Sequence, residues 1–94
     1  MNLKENKGYN LLIKAIMSLE SEDECEKFLE DLLTRKEIED LAQRLLVASL
    51  LSEQVVYSKI AEETGASTAT ISRVNRAYLY GSGGYSEMLK KIWK

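Results

Sequence analysis

The chain has 94 residues, 45% of them hydrophobic and 30% charged, which fits a single globular domain. It has no histidine and one cysteine, Cys25. That excludes a zinc finger, a Ser-His-Asp triad, a Cys-His pair and an intramolecular disulfide within the chain. The formal charge is −2, from 13 basic and 15 acidic residues, which taken for the whole chain speaks against nucleic acid.

Proline is absent, which favours uninterrupted helices. Tyr9, Leu12, Ile13, Ile16 and Met17 fall on an i, i+3, i+4 stripe and predict a first helix over residues 6–19. Ser21 and Glu24 form a capping box that opens a second helix, with Cys25, Phe28, Leu29, Leu32 and Leu33 as its apolar stripe. Glu20, Glu22, Asp23, Glu24, Glu26, Glu30 and Asp31 make this region strongly acidic. A solvated helix face accounts for the run; repulsion of nucleic acid from the wrong side is the sharper alternative.

Thr34 and Glu37 form a second capping box, and the third helix runs from Arg35 to Ser52. Ile38, Leu41, Ala42, Leu45 and Ser49 make one stripe, and Leu46, Val47, Leu50 and Leu51 cover much of the rest. A helix apolar on most sides needs burial on most sides. A partner chain is the simplest source of that cover; the short helices of the same chain are the other.

Shorter helices follow over 56–64, 68–79 and 85–93. The Gly81-Ser82-Gly83-Gly84 stretch lacks the Lys-Ser/Thr of a P-loop and misses the G-x-G-x-x-G spacing, so it reads as a flexible connector. Trp93 either anchors the last helix or frays with it. No strand alternation and no internal repeat is evident. Lys14 breaks the apolar run Leu11-Leu12-Ile13 too early for a secretory signal. Leu45 to Leu51 is too short for a membrane span. A cytoplasmic protein follows from these features, and a lone cysteine suits a reducing compartment.

The charge is unevenly spread. Residues 1–53 hold 12 acidic and 7 basic residues, and residues 54–94 hold 3 acidic and 6 basic. Within the basic half, Tyr57 to Arg76 has helix-turn-helix anatomy. Ala61 is small where two helices would cross. Gly65 stands at the first helix's end, where a left-handed backbone favours glycine. Ile60, Ile71 and Val74 face inward, and Ser67 caps the second helix. Thr68, Ala69, Thr70, Ser72 and Arg73 then face outward, small or hydrogen-bonding groups suited to the major groove. Ser58, Lys59, Ser67 and Arg76 complete the candidate DNA contacts. A helical hairpin used for packing or for protein contact has the same spacings.

Here the sequence resembles the Trp repressor superfamily. Thr64-Gly-Ala-Ser-Thr-Ala-Thr-Ile-Ser-Arg73 looks like its recognition-helix segment, and Leu41-Ala-Gln-Arg44 matches its central helix. The similarity is strongest to the YerC/YecD-type branch, through Glu22-Asp23-Glu24-Cys25, Phe28-Leu-Glu-Asp-Leu32, Glu63 to Arg76, Tyr80-Gly81 and Gly84-Tyr85, and it spans roughly residues 8–92. The resemblance implies an all-α, six-helix subunit in an intertwined homodimer, its two helix-turn-helix units about one DNA turn apart. One domain over 1–94 would then divide into a dimerisation core (1–53), a DNA-reading unit (54–80) and a C-terminal helix (81–94).

Arg44 and Arg73 stand at the counterparts of two arginines that help hold the corepressor tryptophan in the Trp repressor. Val74 replaces a glycine that leaves room for the indole, and Ala77 replaces a serine that binds the ligand's amino group. Free tryptophan is therefore not expected as the effector, and Arg44 and Arg73 are open to pairing with carboxylates or phosphate. No metal and no cofactor is expected, and no reaction, since no acid-base constellation is visible. Cys25 lies between Glu24 and Glu26, which disfavours a thiolate, and reads as a packed thiol. Tyr78, Tyr80 and Tyr85 could stack on bases, but packing of the last helix is the commoner role. The expected function is sequence-specific binding of duplex DNA by a homodimeric transcriptional regulator, a repressor. The alternative is a protein-interaction module that uses the helix-turn-helix as scaffold.

Overall fold

A computed structural model describes residues 2–92; Trp93, and with it the role expected for that residue, lies outside them. A 3-10 turn at Leu3–Glu5 precedes six α-helices: α1 Lys7–Met17, α2 Glu22–Leu32, α3 Arg35–Ser52, α4 Tyr57–Thr64, α5 Thr68–Tyr80 and α6 Gly84–Ile92. No strand occurs among the described residues. The third helix has the bounds its capping box and periodicity predict, and the others differ from expectation by one or two residues at an end. No helix among the described residues is long and apolar enough to cross a membrane.

The helix starts follow from short polar side chains that accept orphan N–H groups. The Asn2 side-chain Oδ1 accepts from the Lys4 amide at 3.0 Å and the Asn6 Oδ1 from the Tyr9 amide at 2.9 Å, two caps without a capping-box signal. Ser21 accepts from the Glu24 amide at 3.1 Å, as the S-x-x-E pattern requires. The Glu24 carboxylate, however, accepts from the Glu20 amide at 3.1 Å, one residue before the cap.

The chain forms two compact parts, one ending at Arg35 and the other beginning at Lys36. In the first, α1 and α2 bury no residue; Leu11 is 69% exposed and Met17 79%. On the stripe that predicted α1, Ile13, Ile16 and Met17 are exposed, while on that of α2 Leu32 alone is exposed and the other four residues are half-buried.

The second part has its own core. Val47 and Ala48 of α3, Ile60 of α4, Ala66 of the turn, Ile71 and Val74 of α5 and Leu89 of α6 are buried together. Leu50, Leu51, Val55, Ala61 and Tyr85 pack against them. Each fully buried Val or Ile contributes about 1.5–3 kcal/mol relative to an exposed one. The helix α3 is not enclosed by this core. Leu41, Leu45 and Leu46 remain 44%, 40% and 47% exposed, so the short helices α4, α5 and α6 of this part do not supply the missing cover. An apolar hollow of about 280 Å³ opens beside them, lined by Ala42, Leu45, Leu46, Ser49, Leu89 and Ile92.

Gly81 departs from the flexible-connector reading. Its amide donates to the Ala77 carbonyl at 2.9 Å, closing α5. A Cβ at this position would collide with that same carbonyl oxygen. This glycine permits a close backbone approach.

Candidate nucleic-acid interface

The helices α4 and α5 meet through a three-residue turn, Gly65 to Ser67. Gly65 takes a left-handed conformation, φ 73°, and its amide donates to the Ala61 carbonyl at 2.9 Å. The next residue, Ala66, is buried, which draws the turn onto the core. Ser67 is the cap of α5: its Oγ accepts from the Thr70 amide at 3.1 Å and its hydroxyl donates to Thr70 Oγ1 at 3.0 Å. Ile60 and Ile71 have no exposed surface and Val74 has 2%, so these side chains fill the angle between the helices.

That packing fixes which side of α5 is free. Thr68, Ala69, Ser72, Arg73 and Arg76 are exposed, as are Ser58 and Lys59 at the first turn of α4 and the cap residue Ser67. Thr70 differs: it is half-buried, and its hydroxyl is engaged by Ser67. Among the described residues, Lys59, Arg73 and Arg76 have no ion-pair partner, so their charges are open to solvent. The α4 cap residue, Val56, makes no side-chain hydrogen bond to the helix start.

Behind the exposed face lies a cleft of about 220 Å³ between α3 and α5, lined by Asp40, Gln43, Arg44, Thr70, Arg73 and Val74. Asp40 is engaged by Lys36, whose ammonium lies 2.9 Å from its carboxylate. That hydrogen bond and charge raise the Lys36 pKa. Asp40 and Gln43 were missed by sequence reasoning. Nothing in the pattern Asp40-Leu-Ala-Gln43 distinguishes cleft-facing polar residues from the solvated side of a helix.

The description "Trp repressor protein" belongs to a family model that matches residues 7–92. The chain belongs to the Trp repressor family. YerC, an uncharacterised protein of Bacillus subtilis (strain 168), is 47% identical over 94 residues, covering 98% of this chain and 90% of that protein. A crystal structure of a TrpR-like protein from Eubacterium eligens superposes with a TM-score of 0.92 at 46% identity, covering 98% of this chain and 95% of the other. A candidate Trp repressor from Staphylococcus aureus gives 0.86 at 41% identity, over 98% and 94% of the two chains. The six-helix fold is thus a TrpR-like fold, and the family is one of helix-turn-helix transcription regulators rather than enzymes.

Of the four effector-pocket counterparts in this Trp repressor family chain, Arg44, Arg73 and Val74 line the single cleft just described. Ala77 is exposed further along α5 and is not among the lining residues. Val74 is committed to the core, where it packs with Val47, Ile60 and Ile71. Of the three tyrosines, Tyr85 packs against the core, Tyr78 is half-buried and Tyr80 is 82% exposed.

Proposed function

We propose that this protein is a sequence-specific duplex-DNA-binding transcriptional repressor that acts as a homodimer. One observation carries the reading. The helix α5 buries Ile71 and Val74 while presenting Thr68, Ala69, Ser72, Arg73 and Arg76, small or hydrogen-bonding, to the outside. Such a face enters a major groove closely, and its arginines reach phosphates or guanine edges. Ser58, Lys59 and Ser67 are assigned to the phosphate backbone, where the uncapped start of α4 adds open N–H groups. Thr70 supports this face chiefly by holding the cap with Ser67.

The second copy is proposed to cover the open apolar surface of residues 1–53, notably Leu41, Leu45 and Leu46 with the adjoining hollow. Residues 54–80 then form the reading unit, followed by the C-terminal helix α6. In the dimer the reading units lie one DNA turn apart, and operator sites are two half-sites about 10 base pairs apart, centre to centre. Repression follows where such a site overlaps a promoter.

Tryptophan is not the proposed effector. Val74 occupies core space next to the cleft, and the cleft gains no amine-binding hydroxyl from Ala77. Calorimetry with tryptophan should show no micromolar binding; a micromolar isotherm overturns this point. The function itself is tested by selecting bound sequences from random duplexes. Enrichment of a palindrome supports the reading. Absence of any enriched sequence overturns it in favour of a protein-interaction module.

A further inference from the structure

Gln43 is half-buried on α3, and its side-chain amide donates to the main-chain carbonyl of Thr64 at 3.1 Å, across 21 positions of sequence. Thr64 is the last residue of α4, and a helix's last carbonyls have no partner within the helix. The Thr64 hydroxyl donates to the Ile60 carbonyl at 2.8 Å and accepts from the Ala66 amide at 3.1 Å. A connected series of hydrogen bonds thus runs from α3 into the α4–α5 turn. Ser67, the residue after Ala66, caps α5.

We propose that Gln43 is a positioning residue for DNA reading, fixing the α4–α5 turn, and with it the start of α5, against α3. This role rests on the DNA-reading function proposed above. The apolar contacts of Val47, Ile71 and Val74 hold the helices together, but hydrophobic attraction is non-directional. A hydrogen bond is directional, and it selects one rotation of the turn among those the core tolerates. Gln43 also lines the cleft that Thr70 and Arg73 line from α5, so it braces the wall from which the reading face projects.

The test compares the full-length wild type with Gln43→Met, which keeps the length and removes the donor, and with Gln43→Lys, which restores one. Affinity for a selected operator and for random duplex is read beside the thermal midpoint and amide exchange of residues 65–70. Val47→Ala serves as a control that loosens the core without removing any hydrogen bond of this series. Gln43→Met is expected to lower the operator-to-random affinity ratio about five- to tenfold, the scale of one lost hydrogen bond, and to speed exchange at Ala66 and Ser67. Gln43→Lys is expected to recover most of the ratio; its added charge raises both affinities and cancels in it. Val47→Ala is expected to lower the midpoint and leave the ratio unchanged. An unchanged ratio in Gln43→Met, or a ratio that falls as much in Val47→Ala, overturns the positioning role alone. A wild type that prefers no duplex over random sequence overturns the DNA-reading function and this role together.

Discussion

Two kinds of residue separate stability from recognition. Gly81 belongs to the first. Its missing side chain lets the α5 terminus close on the Ala77 carbonyl. Gly81→Ala puts a carbon into that backbone contact and should destabilise the fold by about 1–3 kcal/mol, the usual scale of overpacking. For a domain of this size each kcal/mol lowers the thermal midpoint by about 4–8 °C, so calorimetry resolves it easily. An unchanged midpoint would show that the terminus closes in another way. Arg73 belongs to the second kind. It is exposed and, among the described residues, unpaired. Arg73→Ala should leave stability within about 0.5 kcal/mol of wild type. It should cost about 1–3 kcal/mol in operator binding, a loss of roughly five- to 150-fold, if the arginine reads a base edge. Equal losses on operator and random duplex would assign it to phosphate instead.

At the scale of elements, capping decides where helices start, and caps were readable where a capping box or, at Ser67, a preceding glycine stop marked them. Ser21 with Glu24, Thr34 with Glu37 and Ser67 before α5 all marked true starts. Asn2 and Asn6 were invisible because a lone asparagine near a terminus signals a loop as readily as a cap. The inward face of α5 was legible because Ile71 and Val74 keep helical spacing behind a serine cap and a glycine stop. The cleft was not, since it depends on which polar side of α3 meets α5, and helical periodicity is silent on the partners of polar residues. Gly81 was misread for a related reason: sequence shows that a glycine is present, while its cause lies in the geometry of the preceding turn. The cap at Ser67 carries a prediction. Ser67→Ala removes the oxygen that accepts from Thr70, and this should cost about 0.5–2 kcal/mol. Ser67→Asp restores an acceptor and should recover stability. It should not recover DNA binding, because it places a negative charge beside phosphate. Recovery of both by Ser67→Asp would remove this part of α5 from the interface.

For the molecule as a whole, the net charge of −2 looks unsuited to DNA until it is divided by position. The deficit sits in residues 1–53, and the basic surplus sits in the half that carries α4 and α5. A polyanion responds to the charges facing it, since those farther than about 8–10 Å are largely screened at physiological salt. Few cations stand on the proposed face, however. Lys59, Arg73 and Arg76 of one chain would give three contacts, and two copies would give six. The logarithm of the binding constant should then fall against the logarithm of salt with a slope of about −5 for a dimer and about −3 for a single chain, at roughly 0.9 per phosphate neutralised. The proposed dimer can be tested independently. Leu46 is 47% exposed beside the apolar hollow, so Leu46→Glu leaves the chain's own core intact while placing a charge on the surface proposed for the partner. Sedimentation of this variant should give the mass of one chain, and its salt slope should drop to about −3 together with a loss of operator preference. A variant that sediments as one chain yet keeps a slope near −5 would mean that a single subunit contacts more phosphates than its three open cations supply. A wild type that sediments as one chain would send the exposed leucines of α3 in search of a different partner.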